Sequence, residues 1–216
     1  MAEVDPEALA DVAYGIFEHH LTRGLQAQGK YLYALVEGGI DFSADLVEIF
    51  EKFRMEYPQL AEAMLARFSS IDPIYQMLCN GEGVIPSKTT QMYWIVVDAP
   101  GSAPEAIEDE NAGKWLIFQE PDLVNESWKK IRDATVAGVL GISAKVSTAK
   151  PNPDSRDNRK VIYVYTKDWS VEPDVMRVRE KLRELGFTDR IGYKRNIETF
   201  AGEYAKKGKR VTYYSA

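Results

Sequence analysis

The chain has 216 residues, 45% hydrophobic and 28% charged, the balance of a globular protein long enough to bury a sizeable core. It holds no apolar run near the ~20 residues of a membrane span, its acidic start MAEVDPEALADVAYG lacks the pattern of a secretory signal, and Cys79, its only cysteine, excludes an internal disulfide and a four-cysteine zinc site. The net charge of −6 divides unevenly: residues 1–113 carry 6 basic against 19 acidic side chains, a net of −13, and residues 114–216 carry 21 against 14, a net of +7.

The first eighty residues read as helices. In Pro6–Gln28 the positions Leu9, Val12, Ala13, Ile16, Phe17, Leu21 and Leu25 follow the three-and-four spacing of one helix face. Asp5 before Pro6 is a helix start, a capping carboxylate followed by proline at the first helical position. A second helix is predicted over Ser43–Tyr57, and Pro58 restarts the chain as a third with Leu60, Met64, Leu65 and Phe68 turned inward. A short helical piece after Asp72-Pro73 ends near Asn80-Gly81.

From Val84 the texture changes. Met92–Val97 reads as a strand, and the stretch APGSAPEAIEDENAG after it as a mobile surface loop. Lys114–Gln119 is a second strand, and Leu123–Ala137 a helix with Val124, Trp128, Ile131 and Ala134 on one face, stopped by Gly138. Two strands follow, Gly141–Thr148 and Val161–Thr166, then a helix over Pro173–Leu185 closed by Gly186. Ile191–Tyr193 and RVTYY are the last strands. Strands joined by turns and interrupted by two helices predict an α+β fold: a mostly antiparallel sheet backed by helices, its other face left for a ligand, preceded by the acidic helical segment. The expected domains are 1–83 and 84–216.

The charge asymmetry suggests that the basic half faces an anionic partner, although halves of opposite sign also pack on one another. Within that half the strongest candidate is KVSTAKPNPDSRDNRK, which holds Lys145, Lys150, Arg156, Arg159 and Lys160 in a polar, proline-bearing loop suited to phosphate oxygens. The competing reading is a solvated hairpin loop, and Asp154 and Asp157 favour it. Of four tryptophans, Trp128 sits on a helix's apolar face, Trp94 and Trp115 lie in strands where either can stack on a planar group, and Trp169 occupies the polar turn KDWSVEP. The tail mixes Lys194, Arg195, Lys206, Lys207, Lys209 and Arg210 with Tyr193, Tyr204, Tyr213 and Tyr214, a mixture that suits single-stranded nucleic acid or a nucleotide but is also common on solvated surfaces.

Phosphate-binding GxxxxGK[ST], dinucleotide-binding GxGxxG, GxSxG and HExxH motifs are all absent. Both histidines, His19 and His20, lie in the first helix, so chemistry in the basic domain would use lysine as base and tyrosine or a carboxylate as acid.

The segments GKWLIF, GVLGISAKVSTAKPNP, KVIYVYTKDW, DVMRVREKLRELGF and IGYKRN together resemble the family of the basophilic-leukaemia-expressed protein, also labelled phosphothreonine-lyase-domain proteins, over residues 84–216. The resemblance implies a fold like that of the cap-binding translation initiation factor, a curved sheet backed by helices. By that likeness Trp115 would stack on a planar group and the basic residues of Lys145–Lys160 would hold phosphates. The lyase label implies elimination of phosphate with Lys114 or Lys145 as the base. The leading expectation is a non-enzymatic, cytoplasmic binding module for a phosphorylated ligand, RNA or a nucleotide, through Trp115, Lys145, Lys150, Arg156, Arg159, Lys160, Lys194 and Arg195. No metal, cofactor or membrane is expected. The alternatives are the lyase and a protein-interaction adaptor using the acidic helices.

Overall fold

A computed structural model describes residues 5–102, 107–153, 155, 157–200 and 212–216. Its first helix begins as the sequence requires. The Asp5 carboxylate accepts the Glu7 amide at 3.1 Å, and Pro6 fills a position where no N–H is needed. Helix α1 is Pro6–Ala27, followed by α2 (Leu32–Gly38), α3 (Ser43–Glu56), α4 (Pro58–Phe68) and α5 (Ile71–Cys79). Helix α2 was not foreseen. It has seven residues and no side-chain cap, too short to persist alone, and burial of Leu32 and Leu35 in the helical core holds it.

The chain divides into two compact units, one of residues up to Tyr93 with Thr148–Asn152, the other of Trp94–Ser147 with Pro153–Ala216. The first is built around α1, which packs on α3 and α4. Phe17 meets Phe50 and Phe53 edge-on, with centroids 5.5 and 5.4 Å apart, a geometry that suits the ring quadrupoles. Val12, placed on the buried stripe by its spacing, is exposed instead. The expected change at residue 84 and the division at Tyr93 differ by a segment that joins the helical core through Val84 and Met92. Buried Glu82 organises that segment by accepting the amides of Thr90 at 2.9 Å and Gln91 at 3.1 Å.

The second unit holds β1 (Trp94–Asp98), β2 (Gly113–Gln119), α6 (Val124–Val136), β3 (Ser143–Ser147), β4 (Lys160–Thr166), α7 (Glu172–Glu184), β5 (Gly192–Arg195), α8 (Asn196–Phe200) and β6 (Tyr214–Ser215). The strands form one sheet in the order β1-β3-β4-β2-β5-β6, every pair antiparallel. This is the α+β architecture expected. Helices α6 and α7 cover one face, burying Trp115, Trp128, Ile131, Ile162, Val164 and Val178 between them and the sheet. Gly138 ends α6 as expected, with φ 72°. Gly141 is required by close approach, because a Cβ there would lie 1.8 Å from the Tyr165 carbonyl oxygen.

One charged residue ties this unit together. Arg179 of α7, 0% exposed, donates to the carbonyls of Ala216 at 3.0 Å, Phe187 at 2.7 Å and Asp189 at 2.7 Å. Its guanidinium thereby joins α7, the turn after it and the chain end beside β6. Arg179→Met leaves those carbonyls without their donor, at about 1–3 kcal/mol for a buried group left unpaired. Urea unfolding should show a loss of roughly 3 kcal/mol; an unchanged midpoint would remove Arg179 from this role.

Candidate anion-binding face of the sheet

Strand alternation sorts the candidate residues before any contact is considered, since successive side chains point to opposite faces. In β2, Trp115 and Ile117 point to the helices and Lys114, Leu116 and Phe118 to the other face; in β4, Ile162 and Val164 oppose Tyr163 and Tyr165. Antiparallel pairing then sets cross-strand neighbours: Lys114 opposite Tyr165, Lys114 opposite Lys194, and Lys145 opposite Tyr163. The face away from the helices thus collects Lys114, Lys145 and Lys194.

The ammonium groups of Lys114 and Lys145 lie over aromatic rings. The Lys114 Nζ is 5.5 Å from the Tyr163 centroid and 5.3 Å from that of Tyr165. The Lys145 Nζ is 5.5 and 5.7 Å from the same two rings and 4.5 Å from Trp94. Trp94 stacks on Tyr163 with centroids 5.3 Å apart and planes at 28°. Two cations therefore share one pair of tyrosines, and the ring faces attract both.

The expectation was an open face, and part of this face is closed. Lys114 is 7% exposed and Tyr165 2%, and Ser143 and Lys194 are buried too. Asn196, at the start of α8, accepts from Lys114 Nζ at 3.0 Å and donates to the carbonyls of Ile107 at 2.7 Å and Asp109 at 2.9 Å. That fastens the 107–109 end of the long β1–β2 loop beside the lysines. Access remains along the rim, where Val96 and Phe118 are exposed and Trp94, Leu116, Lys145 and Tyr163 half-buried.

Burial and neighbouring charge shift the lysines. Burial first, then the Lys145 and Lys194 charges, lower Lys114 from 10.5 to about 8. Burial lowers Lys145, while the Glu108 charge opposes that shift. An amine that gives up its proton so readily is held among cations in a poorly solvated place.

The remaining predicted residues disperse. Trp115, expected to stack on a ligand, is 0% exposed beneath α7 and donates its indole N–H to the Val175 carbonyl at 3.1 Å; the half-buried rim tryptophan is Trp94. Lys150 belongs to the first unit, where its Nζ binds Asp11 at 2.7 Å and the Gln91 carbonyl at 3.0 Å. Arg159 pairs with Asp157 at 2.8 Å and lies 5.1 Å from the Phe118 ring. Lys160 opens β4 on the parity of Ile162, the helix side. Arg195 turns away from Lys194, pairing with Glu198 at 3.0 Å and lying 4.8 Å from Trp169 and 4.3 Å from Tyr213. Arg156 and the tail residues Tyr204, Lys206, Lys207, Lys209 and Arg210 lie outside the described residues. Sequence reasoning passed over Tyr163 and Tyr165, although the alternation in KVIYVYT signals both; Asn196 and Glu108 carry no local signal.

A concavity of about 270 Å³ lies at the other end of β2, lined by Gln119, Ser127, Lys130, Leu185 and Phe187 among others. Its lysine is already paired, Lys130 to Glu126 at 2.9 Å. Among the described residues no three His, Cys, Asp or Glu side chains gather as a metal site, and no helix is long and apolar enough to cross a membrane.

The model of the family described as basophilic leukemia-expressed protein Bles03 matches residues 88–200. Among solved structures, the chain is similar to C. elegans eIF4E-3 in complex with the 4E-binding protein Mextli and cap analog, at 20% identity and a TM-score of 0.41, covering 50% of this chain and 65% of that one. It is similar to a schistosome eIF4E complexed with m7GpppA and 4E-BP, at 14% identity and a TM-score of 0.40, covering 50% and 61%. Ascaris suum eIF4E-3 with m2,2,7G cap matches at 18% identity and a TM-score of 0.39, covering 56% and 68%. The chain thus spans under two thirds of the first two proteins. The expected likeness to the cap-binding factor is found, as a partial one.

Between pH 8 and 10.5 the unfolded chain keeps a proton that folded Lys114 has released, so raising the pH favours the folded state over that window. Denaturation at pH 8 and pH 10 should show this rise in the native protein and a smaller rise in Lys114→Met; equal slopes would contradict the buried amine.

Proposed function

We propose, for a chain that belongs to the family of the basophilic leukemia-expressed protein Bles03, that the lysine-lined sheet face binds a phosphorylated ligand with a planar group, a nucleotide or single-stranded RNA, without altering it. The observation that carries this reading is the convergence of Lys114 and Lys145 on the rings of Tyr163 and Tyr165, with Lys194 directly opposite Lys114. Gathered cations repel one another in a poorly solvated place, and an anion there is favoured by each of them. Trp94, half-buried at the rim and already stacked on Tyr163, offers the surface on which a base would lie.

Binding of a labelled RNA oligonucleotide or of ATP should weaken as salt rises. With single-stranded RNA, Lys145→Ala should lower the slope of log affinity against log salt by about 0.7 if that lysine meets one phosphate. Trp94→Ala should cost about 1–3 kcal/mol per stacked base, whereas Lys150→Ala should leave affinity unchanged. Salt-insensitive binding, or the loss of affinity in Lys150→Ala alone, would overturn the assignment.

A second reading, elimination of phosphate from phosphothreonine, is favoured by one observation: Lys114, lowered to about 8, has the basicity wanted of a general base near neutral pH. A phosphothreonine peptide would then lose phosphate to give the dehydrated residue, seen by mass spectrometry and absent with Lys114→Arg. Recovery of intact peptide excludes this reading.

A further inference from the structure

We propose that Lys114 is a nucleophilic amine that condenses with a carbonyl compound bearing an anionic group, such as a phosphorylated aldehyde or a 2-oxo acid, to form an imine on the sheet face. The choice of an anionic carbonyl compound rests on the anion-binding reading above; the reactivity of the amine does not.

A lysine reacts with a carbonyl carbon only in its neutral form, and two conditions favour that form: removal from water and the proximity of other cations. Both hold at Lys114. Its side chain is buried, it shares the Tyr163 and Tyr165 rings with the Lys145 ammonium, and Lys194 is its direct cross-strand neighbour. Among the described residues, the other titratable groups brought to this face are Tyr163 and Tyr165 of β4, Asp98 at the end of β1, and Glu108, whose charge acts on Lys145. The resulting pKa of about 8 leaves roughly a fifth of Lys114 neutral near pH 7.4, against fewer than about one in a thousand for an ordinary lysine.

The geometry divides the work between three side chains. The neutral Lys114 Nζ donates its lone pair to the carbonyl carbon, forming the C–N bond, and the C=O π pair passes to oxygen. Two N–H protons then leave with that oxygen as water, giving C=N, and no oxidant or reductant takes part. Asn196 Oδ1, 3.0 Å from Nζ, accepts the N–H that the imine gains when it takes up a proton from solvent, and so positions the nitrogen. Lys145, with its ammonium over the same rings and its side chain more accessible than that of Lys114, is placed for the anionic group. The Tyr163 and Tyr165 rings, 5.5 and 5.3 Å from Nζ, limit water around the C=N bond.

The test treats the full chain with propanal or with pyridoxal 5′-phosphate, reduces with sodium borohydride, and maps the secondary amine by peptide mass spectrometry across pH 6–11. Lys114 should be labelled by both aldehydes on the order of tenfold faster than surface lysines at neutral pH, with a half-maximum near pH 8. Lys145→Met should reduce the advantage of pyridoxal phosphate over propanal while Lys114 remains labelled, and Lys114→Arg should abolish the modified peptide. Labelling spread over lysines in proportion to exposure, or a half-maximum near pH 10, overturns the proposal. If RNA or ATP binds yet neither aldehyde labels Lys114, the anion site stands and this inference fails. If propanal labels Lys114 with no preference for the phosphorylated aldehyde, the reactive amine stands and the anionic ligand class falls.

Discussion

Strand register is the constraint on which the candidate site depends. In an antiparallel ladder, directly opposed residues share a face, so pairing Lys114 with Tyr165 on one side and Lys194 on the other settles which face both lysines occupy. Pairing β3 with β4 brings Lys145 to Tyr163 by the same rule. A slip of one residue would send these lysines toward the helices and turn Trp115, Val164 and Tyr193 outward. The apolar core between the sheet and helices α6 and α7 forbids that slip. The pattern that folds the sheet also brings like charges together on its other side, where aromatic rings and Asn196 are among their partners.

The two units handle their cations differently. In the helical unit, Arg67 and Lys150 both pair with Asp11, whose carboxyl is held below its usual range chiefly by the Lys150 hydrogen bond. In the sheet unit, Arg179 satisfies three carbonyls and Arg195 combines Glu198 with two rings. Against these, Lys145 rests on aromatic faces, and among the described residues no carboxylate comes within ion-pair distance of it. Charge in a chain of net −6 is therefore less informative than where each charge is committed.

Much of the fold was legible from local signals: Asp5-Pro6 and Pro58 at helix starts, Gly138 at a helix end, period-two alternation in Lys114–Gln119 and Val161–Thr166. Part of the site was legible by the same alternation. Lys114 and Trp115 are adjacent in one strand, so they cannot serve one face, and Lys194 and Arg195 part in the same way. Reading KVSTAKPNPDSRDNRK as a single basic patch failed for a different reason. Its described cations belong to separate environments: Lys145 inside a strand, Lys150 beside Asp11 in the other unit, Arg159 folded back on Asp157. Asn196 and Glu108 reach the lysines only through tertiary folding, and composition gives no sign of either.

The central claim, that three gathered lysines make a site whose natural complement is an anion, is tested most directly at Lys114 itself. Side-chain nitrogen-15 and carbon-13 NMR of lysine-labelled protein can follow its protonation with pH, with and without a saturating nucleoside monophosphate. The account predicts a midpoint near 8 in the free protein, moving upward when the phosphate is bound, because an anion favours the charged amine. A midpoint near 10.5 in the free protein, or one that the nucleotide leaves in place, would contradict it.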